Sequence, residues 1–196
     1  MKPLIRNIAL TLALCVPLAA VGDQALLVKP LAERRVAQLP QGVLFWRIEN
    51  FPSMGEAQAA GGSWSLTVES AGKIWLFTLG SAGGVSPHTV KVAEVGPIPR
   101  MQASEYLLRI NDASGPPGSV TPIHSHPGSE AFYVLEGQQS IRGSHGILRV
   151  EGGKPEAGQG ADQAMQVSST GRSSLHSLVM FVVDANRPFS SPATLP

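Results

Sequence analysis

Two histidines one residue apart, His124 and His126, close a strand-like run that begins at Ile123. Side chains at i and i+2 leave the same face of a strand, so the two imidazoles converge. Glu130 follows just past Pro127-Gly128, a turn that lets its carboxylate come back toward the same point. Two imidazoles and a carboxylate, with coordination positions left open, suit iron, manganese, zinc, copper or nickel. The expected centre is one divalent transition metal on His124, His126 and Glu130. Glycines bracket the trio, so that Gly118, His124, His126, Glu130 and Gly137 stand in the pattern G-x5-H-x-H-x3-E-x6-G.

Short strands must carry these residues. From residue 88 on, Val90 to Val95, Glu105 to Asn111, Ile123 to His126, Ala131 to Glu136, Gln139 to Arg142, Ile147 to Glu151 and Leu175 to Asp184 are β-favouring. Turn residues such as Gly115-Pro-Pro-Gly118, Gly143-Ser-His-Gly146 and Gly152-Gly153 separate them. Many short strands at regular spacing predict an all-β sandwich or barrel. Before the soft seam at Gly80 to Pro87, the pattern is mixed. Pro30 to Gln38 reads as a short helix and Val43 to Glu49 as a strand. Ser53-Met-Gly-Glu56 is a capping box opening a helix that Gly61-Gly62 stops. Trp64 to Glu69 and Lys73 to Leu79 flank Ser70-Ala71-Gly72 as a hairpin. The expected divisions are a leader at 1–22, an α+β extension at 23–87, a barrel at 88–186 and a loose Pro- and Ser-rich tail at 187–196. Trp46, Trp64 and Trp75 are expected in the core of the extension.

The glycine-bracketed pattern resembles the first signature motif of the cupin superfamily. The flanks, Pro116-Pro117-Gly118 before and Glu130-Ala-Phe-Tyr-Val-Leu-Glu-Gly137 after, resemble it too. The resemblance covers about residues 88–186. It implies an antiparallel jelly-roll β-barrel with a metal bound inside near one mouth, and commonly a homodimer. The second cupin motif brings a further histidine from another strand, and here the chain departs. Residues 153–171 have the right position and no histidine. Aligning Gln166-Val-Ser-Ser-Thr-Gly171 on that motif's tail puts Met165 in the histidine's place. Four readings stand open for this position: the Met165 thioether, which favours a soft ion; Gln159; His176 from the next strand; or water.

Inside the barrel, alternation inward from Glu130 gives Phe132 and Val134 as liners, with Arg109, Gln139 and Met180 as further candidates on other strands. A mostly apolar cup with one metal and few polar groups suits a small organic molecule. Phe132 and Arg109 are the expected substrate contacts, the guanidinium selecting a carboxylate or enolate. His145, in a glycine-flanked turn, and His88, beside Pro87, read as surface. The functions that follow are a metal-dependent enzyme of dioxygenase or isomerase type, or a non-catalytic exported protein that captures a metal or metabolite.

Composition narrows the field. Hydrophobic residues make up 43% of the 196, enough for a packed core, and 21 Gly with 16 Pro favour turns over long helices. Lys2 and Arg6 precede an apolar run from Ile8 to Ala20, and Ala20-Val21-Gly22 offers small residues for cleavage. Thirteen residues are too few for a hydrocarbon core needing about 20, so a cleaved leader and export to the periplasm or beyond are expected. Of 15 basic residues, losing Lys2 and Arg6 leaves 13 against 14 acidic. No basic cluster exceeds two residues, so neither a nucleic-acid nor a membrane partner is expected. The one cysteine, Cys15, falls in the leader.

Overall fold

The computed structural model describes residues 24–87 and 89–196. The expected leader with Cys15, and His88, lie outside the described residues. In chain order the elements are β1 (Leu27–Val36), β2 (Leu44–Phe51), α1 (Met54–Ala60), β3 (Ser65–Ser70), β4 (Lys73–Gly80), β5 (Val90–Ile98), β6 (Tyr106–Gly115) and β7 (His124–Ser125). They continue as β8 (Gly128–Glu136), β9 (Gln138–Gly143), β10 (Gly146–Glu151), β11 (Pro155–Ala157), β12 (Met165–Ser169), β13 (Leu175–Asp184) and β14 (Ser191–Pro192). Two five-stranded sheets, ordered β1-β6-β13-β8-β11 and β10-β9-β12-β7-β14, enclose the barrel interior. A third sheet, β3-β4-β2-β5, packs on the outer face of the first. The all-β barrel is thus as the turn-punctuated sequence predicts.

The middle sheet serves two cores. On β6, Tyr106, Leu108 and Ile110 face outward, while Leu107, Arg109, Asn111 and Ala113 face the barrel. On β13, Leu178, Met180 and Val182 face outward, and Val179, Phe181 and Val183 inward. On β8, Ala131 and Tyr133 oppose Glu130, Phe132 and Val134 in the same way. The outward set meets Trp46, Ile48, Trp75, Phe77 and Leu79 of the third sheet. Because both faces of β13 are covered, its sequence reads as an almost continuous apolar run. Trp46 and Trp75 are fully buried; Trp64 is at the rim, its indole N–H donating to Gln38 O. Ser53 caps α1 through the Glu56 N–H, and Gly61 ends it, as the capping box predicts.

Four expectations are corrected. Pro30 to Gln38 is strand for most of its length, not helix: β1 pairs with β6 along the sheet edge, where a proline is tolerated, with a register shift between Pro30 and Ala32. Residues before the seam therefore belong to the barrel's sheet. Val90 to Val95, expected in the barrel, forms β5 and pairs with β2 in the third sheet. The tail is not loose throughout, since Ser191–Pro192 pairs with β7. Met180 points away from the cup, because it shares outward parity with Leu178.

Gln139, on the inner face of β9, is fully buried, and neither end of its amide has a hydrogen-bond partner. A buried unpartnered amide costs free energy that an apolar side chain of similar volume does not. Gln139→Met is therefore expected to stabilise the fold by about 1 kcal/mol, read from the midpoint of urea unfolding; a loss of stability would show that the amide is satisfied.

Candidate metal centre and ligand cup

The motif's two glycines explain themselves in the backbone. Gly118 and Gly137 adopt φ of +89° and +76°, a region that side chains with a Cβ avoid. Between them, β7 and the start of β8 bring the three motif side chains to one cavity of about 350 Å3. His124, His126, Glu130, Arg109 and Phe132 all line it. Its other walls include Asn111, Val179, Phe181 and Phe189.

The two histidines are held alike. His124 Nδ1 lies 2.8 Å from Pro122 O, and His126 Nδ1 lies 2.6 Å from Phe189 O. A carbonyl only accepts, so each Nδ1 carries the proton, which in the neutral ring leaves Nε2 as a lone pair. Burial pushes His126 down to about 4, with the neighbouring His124 and Arg109 charges adding to this against the Phe189 carbonyl. The ring is therefore neutral at pH 7. The two rings meet edge to face, with centroids 4.9 Å apart.

Glu130 is buried, and its Oε1 has no hydrogen-bond partner. Burial pushes its carboxyl up to about 8, against a smaller downward pull from the Gln159 backbone. Its Oε2 lies 3.9 Å from His126 Nε2. That contact is not an ion pair, since near pH 7 the imidazole is neutral and the carboxyl is mostly protonated.

Among the described residues, no group of three His, Cys, Asp or Glu side chains is close enough together to hold a metal ion. The donor chemistry nevertheless fits one. Two ligands each about 2.1 Å from a single ion stand at most about 4.2 Å apart, and His126 Nε2 and Glu130 Oε2 fall within that limit. Fixing a ligand imidazole through its other nitrogen is how a metal site orients its donors. His124 lines the same cavity. An orphaned buried carboxyl oxygen, finally, is the sort of atom a cation satisfies.

None of the three side chains considered for a fourth position lines the cup. Met165 is fully buried among Phe132, Ile141, Val150 and Val167, and does packing work. Gln159 meets Glu130 through its backbone, and its amide lies beside Gly143. His176 is on the outward face, with Nε2 2.8 Å from Asp112 Oδ2 and 3.3 Å from Ser70 Oγ. His145 is exposed in the β9–β10 turn.

Arg109 is fixed on three sides. Its Nε donates to Asn111 Oδ1 at 2.7 Å, its Nη1 meets Glu33 Oε1 at 2.7 Å, and its Cζ stands 4.0 Å over the Phe189 ring. Sequence reasoning missed Asn111, Glu33 and Phe189. Asn111 shares Arg109's parity on one strand and was legible there. Glu33 was hidden by the helix expected over its segment, and Phe189 by the composition of the tail.

No protein-family model matches the chain, and no curated protein does. Solved structures do resemble part of it. A double-stranded β-helix protein from Klebsiella pneumoniae is 19% identical over 44% of this chain and 75% of that one, with a TM-score of 0.38. A cupin-like protein from Thermotoga maritima is 15% identical over 45% and 65%, with a TM-score of 0.40. A polyketide cyclase from Streptomyces resistomycificus is 20% identical over 45% and 62%, with a TM-score of 0.37. The matched part thus spans just under two thirds of each of the last two. These likenesses cover less than half of this chain, and the fold rests on its own strand order and motif geometry. Two facing antiparallel sheets, with the His-x-His segment opening inward between the two motif glycines, give this chain the jelly-roll barrel that the motif's resemblance implies.

Proposed function

We propose that the cup holds one divalent transition metal (iron, manganese, zinc, copper or nickel) on His124, His126 and Glu130, and that the protein is a metal-dependent enzyme of dioxygenase or isomerase type. The substrate is a small, largely apolar molecule with one carboxylate or enolate. The observation that carries this is the matched setting of the two imidazoles, each with Nδ1 engaged and Nε2 left as a donor. A divalent ion there supplies Lewis-acid polarisation of a ligand oxygen. The chain supplies the rest. Arg109, held by Glu33 and Asn111, orients the anionic group of the ligand. Phe132, Val179 and Phe181 pack its apolar body and exclude water. Glu130 holds a proton at its carboxyl in the metal-free state and gives it up on binding the ion.

A second reading, a non-catalytic protein that captures a metal or metabolite, is favoured by one feature. Among the described residues lining the cup, Arg109 is the only titratable one beyond the three donors, so none of them stands as a separate general base. Metal analysis of natively purified protein, with dioxygen uptake and product formation on enolic and phenolic acids, separates the two. Tightly held metal without turnover selects the binding protein; absence of metal and of turnover sinks both. Export after cleavage near residue 22 and a homodimeric state complete the proposal. N-terminal sequencing of exported protein and sedimentation test them.

A further inference from the structure

The segment from Arg187 to Ala193, whose composition predicts a loose tail, is tied down at both ends. At its start Arg187 makes two bonds to Asp162, Nη2 to Oδ1 at 2.6 Å and Nη1 to Oδ2 at 3.1 Å. Asp162 in turn donates its N–H to His126 O at 2.8 Å. At its end Ser191 and Pro192 pair with Ser125 and His124, and Ala193 N–H donates to Ile123 O at 3.2 Å. Each tether therefore grips the short segment, Ile123 to His126, that carries the two histidines. Between the tethers Phe189 drops into the cup. Its ring centroid lies 4.7 Å from that of His126 and 4.9 Å from that of Phe181, and its π face lies under the Arg109 guanidinium.

We propose that Phe189 is a positioning residue of the site, its carbonyl setting the tautomer of His126 and its ring setting the plane of Arg109. The inference rests on the metal-site reading for its purpose, not for its geometry. Phe189 O is the acceptor for His126 Nδ1. Without it the imidazole is free to carry its proton on Nε2, and the lone pair then leaves the nitrogen nearest Glu130. His124 takes its acceptor from Pro122, two residues back in the chain, and needs no help from the tail. The two histidines thus differ in one respect: only His126 depends on a distant segment. For Arg109 the ring supplies a cation–π floor, so that the guanidinium edge stays turned toward Asn111 and the cup.

The test compares the full chain with one ending at Asn186, and with Phe189→Ala and Phe189→Leu. Nitrogen NMR of the 15N-histidine-labelled, metal-free protein at pH 7 reads the tautomer of each ring. In the full chain both rings are expected as the Nδ1–H form. In the shortened chain His126 is expected to become a mixture of tautomers, with His124 unchanged as the internal control. Phe189→Ala, which keeps the chain length, is expected to shift His126 the same way by a smaller amount, and Phe189→Leu to restore most of it. Zinc affinity is expected to fall about 10- to 100-fold in the shortened chain, the usual cost of losing a partner that orients a ligand. If the shortened chain does not fold, Phe189→Ala decides alone. An unchanged His126 tautomer in the folded variants overturns the proposal whatever zinc does. A shifted tautomer with no zinc bound by any form upholds the positioning role and overturns the metal reading instead.

Discussion

The His124→Ala, His126→Ala double variant is expected to lose nearly all divalent-metal binding while its barrel stays folded. His124 opens the two-residue strand β7 and His126 directly follows it, both at the cup and apart from the core between the middle and third sheets that holds the fold together. Once both are gone Glu130 is the only donor of the set, and a single carboxylate in an apolar cup does not hold a transition metal against water. Metal content after dialysis, with far-ultraviolet circular dichroism for the fold, checks both halves. Stoichiometric metal in the double variant would overturn the site assignment. Met165→Ala reverses the pattern. Its side chain is core, so the variant is expected to lose about 2–5 kcal/mol of stability and to keep its metal affinity.

The metal-free protein is expected to lose stability as pH rises from about 6.5 to 8, and Glu130→Gln to abolish that loss. Glu130 keeps its proton up to about 8 when folded, against an ordinary value of 4.5. Between those values the folded state binds more protons than the unfolded, so stability falls with rising pH. His126 has the opposite sign. Its folded value of about 4 lies below the ordinary 6.5, so between them the unfolded state binds more protons and stability rises with pH. The two slopes oppose each other from about 4.5 to 6.5, leaving a plateau there and a decline above it that belongs to Glu130 alone. One pKa unit corresponds to about 1.4 kcal/mol, so over that window the decline amounts to about 2 kcal/mol at most. Urea midpoints across the range, with chelator present, measure it. An equal decline in Glu130→Gln would place its origin elsewhere.

How far the sequence reached depends on which interactions are local. The His124, His126 and Glu130 grouping was legible because strand parity and one turn place all three within seven residues. Phe132 followed from the same parity, and the capping box at Ser53 from spacing alone. Strand partners were not legible. Nothing in Val90 to Val95 says that its ladder runs with β2, and nothing in Pro30 to Gln38 separates a helix from an edge strand until β6 is present to pair with it. The same holds for the tail. Phe189 sits between Pro188 and two serines, and only the fold brings its carbonyl to His126, 63 residues away. The direction of Met180 likewise needed a third sheet that the sequence did not announce as a packing partner.

The middle sheet has a consequence for fidelity of folding. Along β6 and β8 polar cup residues alternate with apolar ones that meet the third sheet, so a slip of one residue would exchange the two faces. Such a slip in β8 would drive Glu130 into the layer that Trp75 and Phe77 occupy and turn Tyr133 into the cup; in β6 it would strand Arg109 among tryptophans. A barrel standing alone would pay for that error only on its inner side. Here the outer sheet refuses it as well, so the additional layer works as a proofreader, admitting only the register in which the site is correctly assembled.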